Sequence, residues 1–261
     1  MKNLYFIITN YGYLDIVKNF LQRCIELDSI LLNSLVIVCL DKTSYNALGK
    51  YTKYGCILLV DECDDSITDK FLEWQSTDYK TLVFYKLNIK TKILKMFHNI
   101  YDNIIYIDTD IWINNNFITL LNTYLANSDY DVIFQDGEDY LLNHDECTEI
   151  IDSKLVYKHY CYSYCTGFMI MNTKNYQKII DDLFTYNHKD MSENSGNQSF
   201  INKQLLSSDL KILTLPKSVF PNLSVDYLYK QNKNYWMLHY TYVTGKNKIS
   251  NMKINNHWLL S

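Results

Sequence analysis

The stretch "NIIYIDTDIWI", residues 103–113, is an apolar run that stops at Asp108, passes Thr109 and delivers a second carboxylate at Asp110. The four consecutive apolar residues 104–107 read as a strand of a covered sheet. In an open α/β sheet, ligands bind beyond the carboxyl ends of the strands, so acids at this end stand where a site is expected. If strand geometry persists to 110, both carboxylates share a face. Two such close charges repel, and both stay ionised at little cost only with a cation between them. Hard ions such as Mn²⁺ and Mg²⁺ accept carboxylate oxygen together with phosphate oxygen, which predicts a metal-bound diphosphate. A turn cap at Asp110 beside a solvated Asp108 would produce the same letters.

Working outward, strand and helix signals alternate. Residues 3–9 ("NLYFIIT") and 35–40 ("LVIVCL") read as buried strands, with apolar spacing near 3.6 over 14–27 between them. Residues 53–60 ("KYGCILLV") give a third strand, 81–100 a segment helical in its second half, and 103–108 a fourth strand. Further on, 130–136, 167–172 and 210–215 are strand candidates, and 175–186 and 198–206 helical ones. This order predicts an α/β fold with a mostly parallel central sheet flanked by helices. No repeat or composition shift divides the chain, so one domain over 1–261 is expected, with a nucleotide-binding half (1–113) and a more mixed acceptor half (114–261).

With 48% hydrophobic residues, 21% charged residues and a net charge of -4, the composition is that of a globular protein and disfavours a nucleic-acid partner. Asn10 and Gly12 interrupt the first apolar run before a signal peptide or membrane span forms. Seven scattered cysteines make neither a disulfide framework nor a zinc site, and only Cys161 and Cys165 lie close together. These features predict buried thiols and a cytoplasmic protein. Nothing in the sequence fixes an oligomeric state.

Five blocks give the chain a resemblance. "ITNYGYLDIVKNFLQRC" leading to "LVIVCLDKTSYNAL", then "KTKILKMFHNIYDNIIYIDTD", "CTGFMIMNT", "GNQSFIN" and "LHYTYVTGKNKISNM…HW" follow one another from about residue 7 to residue 258. In this order they resemble nucleotide-diphospho-sugar transferases of the glycosyltransferase family 77 type, and the last block is also similar to family 8. The resemblance implies a GT-A type fold, a nucleoside-diphosphate sugar donor (UDP first), Mn²⁺ or Mg²⁺, a glycan or other hydroxyl acceptor, and retention of anomeric configuration. Asp108 and Asp110 would hold the metal against the diphosphate, with Asp108 also near the ribose. His239 falls on the family histidine and would be the third ligand through a neutral imidazole. Gly245 and Lys248 fall on "GxxK", a backbone that closes on phosphates and an ammonium that neutralises them, with Lys246 as the neighbouring alternative. Lys90, or nearby Lys92, falls on a helix lysine that would steady the donor sugar or its phosphate. Asn10 and Asp41, ending the first two strands, are candidates for the nucleoside or simply turn formers. Asp136 in "FQDGED" and Gln198 in "GNQSF" are candidates for the reacting sugar.

The chain departs from the pattern twice. Asn197 stands where Asp commonly precedes the Gln, and Cys165 where Asn is frequent before "TG". An amide at 197 cannot be a carboxylate nucleophile, which favours a front-face displacement assisted by the departing phosphate. Both changes also fit a degenerate transferase that only binds glycan or nucleotide. A phosphatase of the haloacid dehalogenase type shares a strand-end "DxD", but Trp112 occupies the position where those enzymes carry a small or β-branched residue. "NQS" (197–199) and "NLS" (222–224) read as glycosylation sequons, the first inside the expected site.

Overall fold

The structure, a computed structural model, describes residues 1–27, 31–61, 72, 76–137, 150–151, 154–155, 164–215, 219–221, 235–241 and 245–260. Its first half runs β1 (Asn3–Thr9), α1 (Leu14–Glu26), β2 (Leu35–Cys39), α2 (Lys42–Leu48), β3 (Ile57–Val60), α3 (Thr77–Phe97), β4 (Asn103–Ile107) and β5 (Ile111–Ile113). It continues with α4 (Phe117–Ala126), β6 (Val132–Asp136), the short strands β7 (Ile150–Ile151) and β8 (Lys154–Leu155), and β9 (Tyr164–Asn172). Helices α5 (Tyr176–Ile179), α6 (His188–Glu193) and α7 (Asn197–Leu205), strands β10 (Ile212–Leu215) and β11 (Met237–His239), and helix α8 (Gly245–Ile254) complete it.

Seven strands form one sheet in the order β10-β6-β9-β4-β1-β2-β3. Strand β9 runs antiparallel to both β4 and β6, and the other pairings are parallel. The carboxyl ends of β1, β2, β4 and β6 therefore meet the amino end of β9 along one edge. Period-2 alternation sends Ile7, Ile37, Ile105 and Ile170 into one apolar layer and Phe6, Val36, Tyr106 and Met169 into the other. Each fully buried Leu, Ile or Phe contributes about 1.5–3 kcal/mol. The two layers hold the sheet, and its ligand-side edge is free to carry charge.

Two local readings differ from expectation. Helix α3 spans the whole of Thr77–Phe97 rather than only its second half, because Ser76 caps it by accepting from Tyr79 N at 3.1 Å. Its Leu82, Val83, Leu87, Ile93 and Leu94 pack as one stripe on the sheet, so the strand-like composition of "TLVFY" is overridden by tertiary packing. Strand geometry also ends before Asp110: Ile111 N bonds to Asp108 O at 3.2 Å, a turn that swings the chain out of the main sheet. Strand β5 then pairs antiparallel with β11, setting His239 opposite Ile111. This two-stranded ribbon is anchored by Trp112, whose ring stacks on His257 at 4.3 Å and lies 4.5 Å from the Arg23 guanidinium.

Candidate active site

Asp108 follows the last residue of β4. Its backbone N–H donates to Gly167 O at 2.7 Å, which fixes it against the start of β9. Its Oδ1 accepts from the Tyr106 hydroxyl and lies 3.3 Å from Lys86 Nζ on α3. Asp110 lies inside the turn, where its carbonyl accepts from Tyr240 N at 3.1 Å. Its buried carboxylate holds two cationic groups: Lys248 Nζ donates to Oδ2, and His239 Nε2 is 3.4 Å from Oδ1. The acids thus converge through a turn and a ribbon, rather than through strand alternation.

One ligand atom each from Asp108, Asp110 and His239 lies within 4.8 Å of the others. Two carboxylates and an imidazole are a donor set for a divalent ion of the Mn²⁺ or Mg²⁺ kind. The space is also kept clear. A Cβ on Gly167 would stand 2.3 Å from His239 Cε1 and 2.8 Å from Asp108 Oδ2, so only a residue without a side chain fits between them. These residues fit a bound cation.

The charges respond to one another. Burial alone would lift the Asp110 carboxyl, but Lys248 and His239 outweigh it and hold the group well below the ordinary carboxylate range. Burial likewise works against the His239 imidazolium, yet Asp110 and Cys165 raise it to about 10. Lys86 and Lys248 are raised in spite of burial, by Asp108 and Asp110 respectively. Tyr13 lies among them: burial raises its phenol, while Lys248 and Lys86 pull the other way. Tyr79 is raised by burial and then by Tyr13 and the two acids.

Residues 30–252 match the model of a family described as nucleotide-diphospho-sugar transferases. The chain belongs to this family. The match is to these transferases as a group and does not single out family 77. No curated protein matches this transferase in sequence. Solved structures share its fold. A glycosyltransferase involved in glycosylation of the major capsid of PBCV-1 has a TM-score of 0.58 at 9% identity, over 97% of this chain and 100% of that one. The galactosyltransferase LgtC, solved with donor and acceptor sugar analogs, has a TM-score of 0.55 at 10% identity, over 99% and 97%. Mouse xyloside xylosyltransferase 1 has a TM-score of 0.55 at 10% identity, over 92% and 98%. The fold is GT-A type, and the activity class is glycosyl transfer from a nucleotide sugar. No helix among the described residues is long and apolar enough to cross a membrane.

In this transferase Asp108, Asp110, His239 and Lys248 come together, and the other expected residues stand apart from them. Lys90 does not line the cluster. It is fully buried beneath it, with Nζ 4.0 Å from the Tyr106 ring centre and 3.5 Å from Thr166 O, and burial lowers its pKa to about 7. The reason is position along the helix: 86 and 90 share one face of α3, and Lys86, one turn earlier, is the one that reaches Asp108 at the edge. Lys92 instead pairs with Asp61 at 2.5 Å. Asp41 caps α2 through Ser44 N at 2.6 Å and also accepts from Ser44 Oγ and Tyr11 N. Asn10 is buried just before that tyrosine. Asp136 pairs with Tyr164 across β6 and β9. Gln198 lies one turn before Asn202, whose side chain bonds both N and O of Tyr164, so Gln198 and Asp136 flank one corner of the same edge. Gly245 opens α8 rather than a loop. Lys86, Gly167, Tyr13 and Gln135 went unassigned in the sequence. The i, i+4 relation of Lys86 to Lys90 was the available signal for the first. The sequon at 222–224 and Cys161 lie outside the described residues. Cys24, Cys39, Cys56 and Cys165 are buried free thiols.

Proposed function

We propose that the chain is a retaining, Mn²⁺-dependent transferase that takes a sugar from a UDP-sugar to a hydroxyl of a glycan or similar acceptor. The observation that carries this reading is the cluster of half-buried Asp108 with buried Asp110 and His239, flanked by Lys86 and Lys248. Two ammonium groups beside a three-ligand cation site match a diphosphate, whose oxygens need both point charges and a metal. Helix α8 adds to this, because Lys248 brings its first turn to the acids and the free N–H groups of a helix start favour phosphate.

Asp108, Asp110 and His239 would hold the ion, and Lys86 and Lys248 would hold the phosphate oxygens. When bound, the ion supplies Lewis-acid stabilisation of the charge that develops on the leaving diphosphate. The nucleoside would lie over the ends of β1 and β2, where Asn10 and the Asp41-tied loop form the floor. Asp136 and Gln198 would face the sugar. Lys90 would act from beneath, keeping the Tyr106 hydroxyl on Asp108. With an amide at 197, the incoming hydroxyl would be assisted by the departing phosphate on the same face. Residues 1–261 would work as one domain, with 1–113 holding the nucleotide, 114 onward serving the acceptor and the segment from His239 closing the site.

Asp110→Asn tests the reading. It should keep the far-UV spectrum and lose Mn²⁺-dependent UDP binding by calorimetry, since an anionic ligand becomes neutral. Wild-type affinity in that variant would refute the metal–diphosphate site, and an inverted anomeric centre in the first-formed product would refute retention.

A further inference from the structure

We infer that Gln135 is a positioning residue that fixes the ring of His239 so that Nε2, and not Nδ1, is the nitrogen offered to the cation. The inference rests on the reading of His239 as a ligand. Gln135 is fully buried, and its Oε1 lies 2.8 Å from His239 Nδ1. Its other amide atom, Nε2, lies 3.3 Å from Phe220 O. A carbonyl oxygen only accepts, so the amide end facing Phe220 must be the NH₂, and the end facing the histidine must be the oxygen. That oxygen also only accepts. Nδ1 therefore keeps its hydrogen and donates it to Gln135, so that Nε2, 3.4 Å from Asp110 Oδ1, is the nitrogen that gives up its proton when a cation binds.

The fold makes this orientation stiff. Pairing between β6 and β9 is regular up to Phe134 and Met169, then shifts so that Gln135 stands opposite Cys165. The irregularity leaves Thr166, Gly167 and Phe168 without a partner on β6, and re-aims Gln135 under the imidazole. Cys165 Sγ flanks the same edge of the ring, 3.5 Å from Nδ1. Opposite-edge contacts of this kind normally set which nitrogen of a ligating histidine is free and how strongly it binds. His239 N also bonds to Pro221 O at 3.1 Å, so residues 220 and 221 hold the amide and the histidine together.

The test compares wild type, Gln135→Leu, Gln135→Glu and His239→Ala for Mn²⁺ affinity in the presence of UDP, read as free Mn²⁺ by electron paramagnetic resonance. Alongside, ¹⁵N-histidine spectra of the Mg²⁺–UDP complex report the tautomer, with His239 assigned by its absence in His239→Ala. We expect Gln135→Leu to bind Mn²⁺ about 10–100-fold more weakly. Gln135→Glu should retain near-wild-type affinity, because a carboxylate still accepts from Nδ1–H, although it melts lower for lack of a donor to Phe220 O. The wild-type spectrum should show a protonated Nδ1. Wild-type affinity in Gln135→Leu while His239→Ala is weakened would overturn the inference alone. Equal weakening in Gln135→Leu and Gln135→Glu, in step with lost thermal stability, would also overturn it, reducing Gln135 to packing. Unchanged affinity in His239→Ala would remove the ligand reading and the inference together.

Discussion

A Cβ at position 167 would overlap His239 Cε1 and press on Asp108 Oδ2, so the smallest possible enlargement acts directly on two of the three proposed ligands. Gly167→Ala should therefore cost Mn²⁺ affinity at least about tenfold while destabilising the fold by only about 1–3 kcal/mol, the usual range for overpacking. Calorimetry with Mn²⁺ and UDP, next to denaturant unfolding, separates the two effects, and an alanine variant with intact affinity would show that the ligands move aside freely. Single residues were unevenly legible in the sequence. Asp108 and Asp110 announce themselves because a buried strand cannot continue through two acids. The roles of Gly167 and Gln135 are set by where β9 slips against β6, and that slip leaves no mark in the letters "FQD" or "CTG". Lys90 and Lys86 carry the same charge on one face of α3, and only where each turn of the helix lies relative to the sheet edge decides which is buried.

Among the elements, the ribbon of β5 and β11 does most to assemble the site, and a histidine outside the site supports it. His257 stacks on Trp112 and bonds the Tyr240 hydroxyl through Nδ1 at 2.7 Å, while Asn19 Nδ2 holds its carbonyl at 2.9 Å. Burial, with Arg23 adding repulsion, lowers its pKa from 6.5 to about 4. Between those values the unfolded chain binds a proton that the folded chain refuses. The contribution is thus fully present above pH 6.5 and lost as pH falls toward 4, at about 1.4 kcal/mol per pH unit. Denaturant unfolding at pH 7 and pH 5 should show wild type losing more stability on acidification than His257→Gln, which starts lower and lacks that slope. Parallel losses in the two proteins would mean that His257 titrates normally. The opening βαβ order and β4 were readable because apolar periodicity writes them locally. The ribbon was not, because β11 has three residues and its partner lies more than a hundred positions earlier. Helix α3 was half read, since aromatic and β-branched residues at its start argue for a strand until the sheet beneath it is known.

Taken as a molecule, the chain balances its proposed site from within. Lys86 faces Asp108 and Lys248 faces Asp110, so each carboxylate has an ammonium partner drawn from a distant part of the sequence. Zinc fingers, in contrast, cannot fold until an ion neutralises their ligands. Here a chelator should leave the thermal midpoint where it was, while Mn²⁺ with UDP raises it in proportion to affinity. A chelator-induced drop in the midpoint would show that the lysines do not suffice. The Lys248–Asp110 contact then has a meaning outside catalysis. If the transferase depends on Mn²⁺ as proposed, a chain that folds around its own counter-ions could be synthesised and stored during metal scarcity, and would start work when manganese arrives, without refolding. Metal supply would then regulate output, and the amount of folded protein would stay constant.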